Sequence, residues 1–249
     1  MLQFNWECYS FFEFIRSINR QKMLKRISFF LVAIAFIQTS FAQDTAQIRK
    51  AADYKAVVTE RAEKIVAKLG ITDSEKYKIV RTQIAQHYID LNNIYDERDA
   101  KLKALKANTT LDKTAMDASK KAVETDVDAK VADLHPKFLN QLGKNLSPAQ
   151  IDMVKDGLTY DVLHVTYKGY QDEIPTLTEP QKAQILTWLT EARERSMDAG
   201  SSKEKHGWFD KYKGRINNYL SAQGYDLQKE GKAWQERIKA AEAAKKQSS

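Results

Sequence analysis

Between residues 45 and 245, apolar side chains recur every three or four positions, and few glycines or prolines interrupt them, the chain having nine and four. That spacing keeps one face of a helix apolar, so the pattern predicts an all-α protein. Seven helices are expected, over 45–69, 73–106, 111–142, 148–157, 179–199, 203–222 and 227–245, in a single helical domain. Three starts share a signature, with Thr72 and Glu75, Ser147 and Gln150, and Thr178 and Gln181 as N-cap and third-residue partners. In such a capping box each side chain satisfies a backbone N–H that the helix leaves open. Residues 159–170 depart from the helical period. Their Val162, Val165, Thr166 and Tyr167 favour extended backbone, so an ordered extended crossing is expected there.

Projection at about 100° per residue sorts core from surface. Over 203–222, Trp208, Phe209, Tyr212, Ile216, Tyr219 and Leu220 share one arc of roughly 120°, which makes most of this aromatic cluster core. His206, Lys213 and Asn217 fall beyond one edge of the arc, and Arg215 borders the other. On the helix 179–199 the apolar face holds Ile185, Leu186, Trp188, Leu189, Ala192 and Met197, with Arg193 inside it. A guanidinium there must find a carboxylate, a carbonyl cluster or a ligand, or reach out to water. His87 and Arg98 interrupt the face of 73–106 in the same way, which implies either a shared internal polar pocket or an ion-pair network.

The N-terminus changes the picture of where the protein works. Lys25 and Arg26, an apolar run from Ile27 to Ile37, and Ser40-Phe41-Ala42 before Gln43 have the layout of a signal peptide over 23–42. Residues 1–22 read as upstream sequence before the true start at Met23, and the protein is expected to be periplasmic or secreted after cleavage near Ala42. No run is long and apolar enough for a transmembrane helix. Without residues 1–42, 35 lysines and arginines stand against 31 acids, a balance of +4. Nucleic acid is therefore not expected as a partner. The lone cysteine, Cys8, lies in the removed part, so no disulfide is expected.

Absent motifs narrow the chemistry further. There is no Gly-rich phosphate loop, no nucleophile elbow and no His-Glu-x-x-His spacing, and no two of the four histidines lie three or four residues apart. Neither a metal site nor a cofactor is expected. Carboxylates such as Asp161, Asp172, Glu194, Asp198 and Asp210 are too abundant to single out a catalytic pair.

Residues 91–99 (Leu-Asn-Asn-Ile-Tyr-Asp-Glu-Arg-Asp), residues 158–170, and the stretch from Glu191-Ala192-Arg193-Glu194 to Lys213-Gly214-Arg215-Ile216-Asn217-Asn218-Tyr219 resemble a family of exported bacterial proteins of unknown function described as sugar-binding. The resemblance spans nearly all of the mature region and implies a carbohydrate-binding or carbohydrate-utilisation accessory protein. Its ligand would be an oligosaccharide or acidic sugar, held by Arg98, Tyr167, Arg193, His206, Trp208, Lys213, Arg215, Asn217 and Asn218. Two alternatives stand beside it. One is a hydrolase or lyase acting on sugars, with His206 or Tyr167 as acid or base and Arg193 holding charge. The other is a helical periplasmic chaperone, because Leu146-Ser147-x-x-Gln150 and Leu177-Thr178-x-x-Gln181 are similar to the Leu-Thr-x-x-Gln repeats of the Spy and CpxP proteins.

Overall fold

The computed structural model describes residues 49–247, which form eight helices. They are α1 (49–66), α2 (Ser74–Ala107), α3 (Lys113–Gly143), α4 (Pro148–Leu158), α5 (Val162–Glu173), α6 (Glu179–Ser196), α7 (Ser202–Ala222) and α8 (Leu227–Gln247). No helix among the described residues is long and apolar enough to cross a membrane. Residues 23–42, expected from the sequence to be a signal peptide, lie outside them. The chain divides into residues 1–56 and residues 57–249, and everything that follows concerns the second unit.

Local chemistry sets the helix starts. Ser147 and Gln150 form the expected reciprocal box, with Ser147 N donating to Gln150 Oε1 at 3.1 Å and Gln150 N to Ser147 Oγ at 3.3 Å. Gln150 Nε2 also donates to Leu69 O at 2.9 Å, which ties the start of α4 to the turn that follows α1. Gln181 Oε1 accepts from Thr178 N at 2.9 Å. At α2 the cap is Asp73 rather than Thr72, because its carboxylate accepts from Lys76 N at 2.8 Å.

The expected extended crossing over 159–170 is a helix from Val162 onward. Leu163, Tyr167, Tyr170 and Ile174 recur at four, three and four residues and pack into the core of α5, α6 and α7. Burial of that stripe outweighs the preference of Val162, Val165 and Thr166 for extended backbone, since propensity is a weak force beside packing. Only residues 159–161 are non-helical.

The α5–α7 core contains Ile185, Leu189 and Ala192 of α6 and Phe209, Tyr212, Ile216 and Leu220 of α7, with Trp188, Trp208 and Tyr219 partly buried against it. Trp188 and Tyr219 meet edge to face at 5.2 Å. The buried positions of α1 to α4 include Ile65, Val66, Ile84, Tyr88, Phe138, Val154 and Leu158. Gly157 allows α1 to approach α4: a Cβ there would lie 2.8 Å from Ile65 Cγ1.

Candidate functional site

The corner between α4 and α5 has unusual backbone. Tyr160 and Asp161 both have φ of 59°, the left-handed region. For residues other than glycine this costs about 1–2 kcal/mol each, so the surroundings must impose it. Lys205 Nζ donates to Leu158 O and to Met197 O, both at 3.0 Å, and so holds the end of α4 against the end of α6. The fully buried Thr159 turns its hydroxyl back to Lys155 O at 2.8 Å, and Asp161 N closes the turn on Asp156 O at 2.8 Å. Pinned in this way, Tyr160 is 47% exposed and stacks its ring on His206, with centroids 5.6 Å apart and planes 11° from parallel.

That corner forms one side of an open cleft of about 530 Å³. Arg61, Lys64 and Ile65 of α1, Lys68 of the turn after it and Tyr88 of α2 line it together with Met153, Asp156, Gly157, Tyr160, Asp161 and His164. Lys64 pairs with Glu60, whereas Arg61 and Lys68 make no ion pair among the described residues. Behind Tyr88, Lys205 Nζ lies 5.5 Å from the ring centroid. Burial lowers the pKa of this lysine to about 8, against the attraction of Asp198.

Arg193 organises the acidic side of the cleft. Its Nη1 donates to Asp156 Oδ1 at 2.9 Å, and its Nη2 donates to Asp152 Oδ1 at 2.7 Å and to Glu194 Oε1 at 3.1 Å. Burial works against its charge, but the bond to Asp156 and the three nearby carboxylates outweigh that and raise its pKa. The second oxygen of Asp156 lies 3.0 Å from His164 Nε2. Ligating atoms of Asp156, Asp161 and His164 all lie within 4.8 Å of one another. A donor set of two carboxylates and an imidazole can hold a divalent cation or work as a hydrogen-bonded acid–base group.

A second polar centre joins α2, α3 and the α6–α7 turn. Asp198 receives His135 Nδ1 on Oδ2 at 2.5 Å, and its Oδ1 lies 3.1 Å from His87 Nε2 without the alignment of a good hydrogen bond. His87 also stacks on Phe138 at 3.8 Å. Burial pushes the Asp198 pKa up, but the two histidines more than reverse it and hold it below the usual carboxylate range. Asp198 correspondingly raises that of His135. Tyr95 donates to Asp198 O at 3.0 Å, and Arg98 lies over the Tyr95 ring while donating to Glu204 Oε1 at 3.1 Å.

The sequence-derived candidates do not converge on one cavity. Arg193 and His206 reach the cleft indirectly, through Asp156 and Tyr160. Arg98 belongs to the second polar centre, so the polar interruptions of α2 and α6 are ion-pair networks and not a common pocket. Tyr167 and Trp208 pack against the core. Lys213 pairs with Asp210, and Asn217 accepts from Tyr170 Oη at 2.7 Å. Arg215 covers the Trp188 ring, and Asn218 is exposed. Sequence reading missed Tyr160, Asp156 and His164 as site residues. Of the three, only Asp156 left a usable trace, as one of two acids, Asp152 and Asp156, four residues apart on a short helix.

A comparison with curated proteins finds no match. Residues 55–240 match the family described as "Protein of unknown function (DUF3826)", and the chain belongs to that family.

Proposed function

We propose that the protein binds an acidic carbohydrate in the cleft between α1 and the α4–α5 corner, and that it does so outside the cytoplasm. The observation that carries this reading is the exposed Tyr160, held in a strained backbone conformation in the same cleft as Arg61 and Lys68, two cations without ion-pair partners among the described residues. Strain of this kind clusters at sites where it positions a group for use. An aromatic face covers the apolar side of a sugar ring, a guanidinium and an ammonium attract its carboxylate, and Asp161 accepts from its hydroxyls. The start of α5, which has no side-chain cap, adds a favourable dipole for an anion.

The chaperone alternative needs an open apolar surface. The exposed large apolar side chains, such as Ile79, Met153, Val165, Leu186 and Ile238, instead sit on different helices. Calorimetric titration with matched neutral and acidic oligosaccharides tests the proposal. Acidic oligomers should bind and Tyr160→Ala should abolish the heat; silence across both series would end the reading.

A further inference from the structure

We propose that the cleft is also catalytic, with His164 cleaving a uronic-acid glycoside by β-elimination. The proposal rests on the acidic-carbohydrate reading above. His164 Nε2 meets Asp156 Oδ2 at 3.0 Å, and Asp156 Oδ1 is already taken by Arg193 Nη1 at 2.9 Å. The carboxylate is therefore fixed through both oxygens. It selects the tautomer in which Nε2 carries the proton and Nδ1 presents a lone pair. The side chain of His164 is 59% exposed and that of Asp156 only 14%, so the base is open to a substrate while the group that orients it is shielded. An imidazole aligned by a second group that is itself held by a third has the architecture of a working general base. His164 is the proposed catalytic residue, and Asp156 is a positioning residue that acts through it.

The rest of the cleft explains why elimination is the chemistry that fits. Removing a proton from the carbon next to a carboxylate places a second negative charge on that group unless cations neutralise it. Arg61 and Lys68 line the same cleft without ion-pair partners among the described residues and supply that neutralisation. In the reaction, His164 Nδ1 takes the proton from C5 of the uronate. The electron pair left behind forms the C4=C5 double bond as the C4–O bond breaks. The departing oxygen takes the proton back from Nδ1, leaving the histidine as it began. The products are a 4,5-unsaturated uronate and a saccharide with a free hydroxyl; nothing is oxidised or reduced and no co-reactant is needed.

The test uses the full chain with oligomers of galacturonate and of mannuronate, following binding by calorimetry and the new conjugated double bond by ultraviolet absorbance. Wild type should form the double bond. His164→Ala should lose at least about 100-fold in rate and still bind, and its exposed position makes misfolding a poor explanation for the loss. Asp156→Asn should lower kcat with little change in KM, because the imidazole loses the carboxylate that fixes its tautomer and direction while the binding groups of the cleft stay in place. Binding without a double bond in either oligomer would overturn elimination and leave the binding reading standing, whereas absence of binding would remove both. Cleavage to reducing ends without unsaturation, or activity lost to a chelator and restored by a divalent cation, would also overturn it.

Discussion

Arg193 on α6 donates to Asp156 on α4 at 2.9 Å, and the far oxygen of the same carboxylate meets His164 on α5 at 3.0 Å. A buried guanidinium thus sets the position of an exposed imidazole. Replacing it with Met leaves the largely shielded Asp156 without its counter-charge, while the more exposed Asp152 and Glu194 turn to water. Arg193→Met should therefore cost about 3 kcal/mol, the lower end for breaking a buried pair. Urea denaturation measures it, and a loss under about 1 kcal/mol would show that the network is dispensable.

Two buried centres give stability opposite slopes with pH. The folded pKa of His135 is raised by Asp198, so its contribution is full below about pH 6.5 and is lost as pH rises through the folded value. Lys205 is the reverse. Its folded pKa is lowered to about 8 by burial, so stability rises between there and the unfolded value near pH 10.4, as the folded protein sheds a proton that the unfolded chain keeps. Thermal melts across pH 5 to 10 should show the first trend vanish in His135→Ala and the second in Lys205→Met. Unchanged profiles in both variants would disprove the assignments.

At residue 200 the chain has no room for a side chain. A Cβ on Gly200 would lie 2.4 Å from Tyr95 Cγ, whereas a Cβ on Gly214, inside α7, meets nothing within 4 Å. Gly200→Ala should destabilise by about 2 kcal/mol, as overpacking does, and disturb the bond from Tyr95 to Asp198. Gly214→Ala should stabilise by about 0.5–1 kcal/mol through helix propensity. Denaturant midpoints compare the two, and equal effects would contradict the packing described.

The same contrast between local and long-range information explains what could be read in advance. The capping pairs Ser147 with Gln150 and Thr178 with Gln181 are local, and the aromatic stripe of α7 is periodic, so both were visible in the sequence. Helix α5 was hidden because Val162, Val165 and Thr166 signal strand, and only its burial against Ile185 and Phe209 decides for helix. Arg193 was visible as a charge on an apolar face, but its partner Asp156 was one acid among many. The cleft brings Arg61 to residues about a hundred positions away, and the left-handed pair Tyr160-Asp161 contains no glycine or asparagine to announce it. Sites assembled by tertiary contact leave little periodic trace.

The strained corner separates stability from binding. Asp161→Gly removes a side chain from a left-handed position where it makes no capping bond. It should stabilise the fold by about 1 kcal/mol while weakening affinity for an acidic oligosaccharide, because the carboxylate that accepts from the ligand's hydroxyls is lost. Tyr160→Gly relieves the same strain but deletes the ring stacked on His206, so it should fold at least as well and lose binding. Arg61→Ala and Lys68→Ala leave the corner intact. Each should weaken binding severalfold at low salt and make the affinity less sensitive to ionic strength, because each removes one exposed charge from the cleft. Calorimetry at two salt concentrations, paired with melting curves for all four variants, tests the set. Retained affinity in Tyr160→Gly would mean that the ligand does not use this cleft.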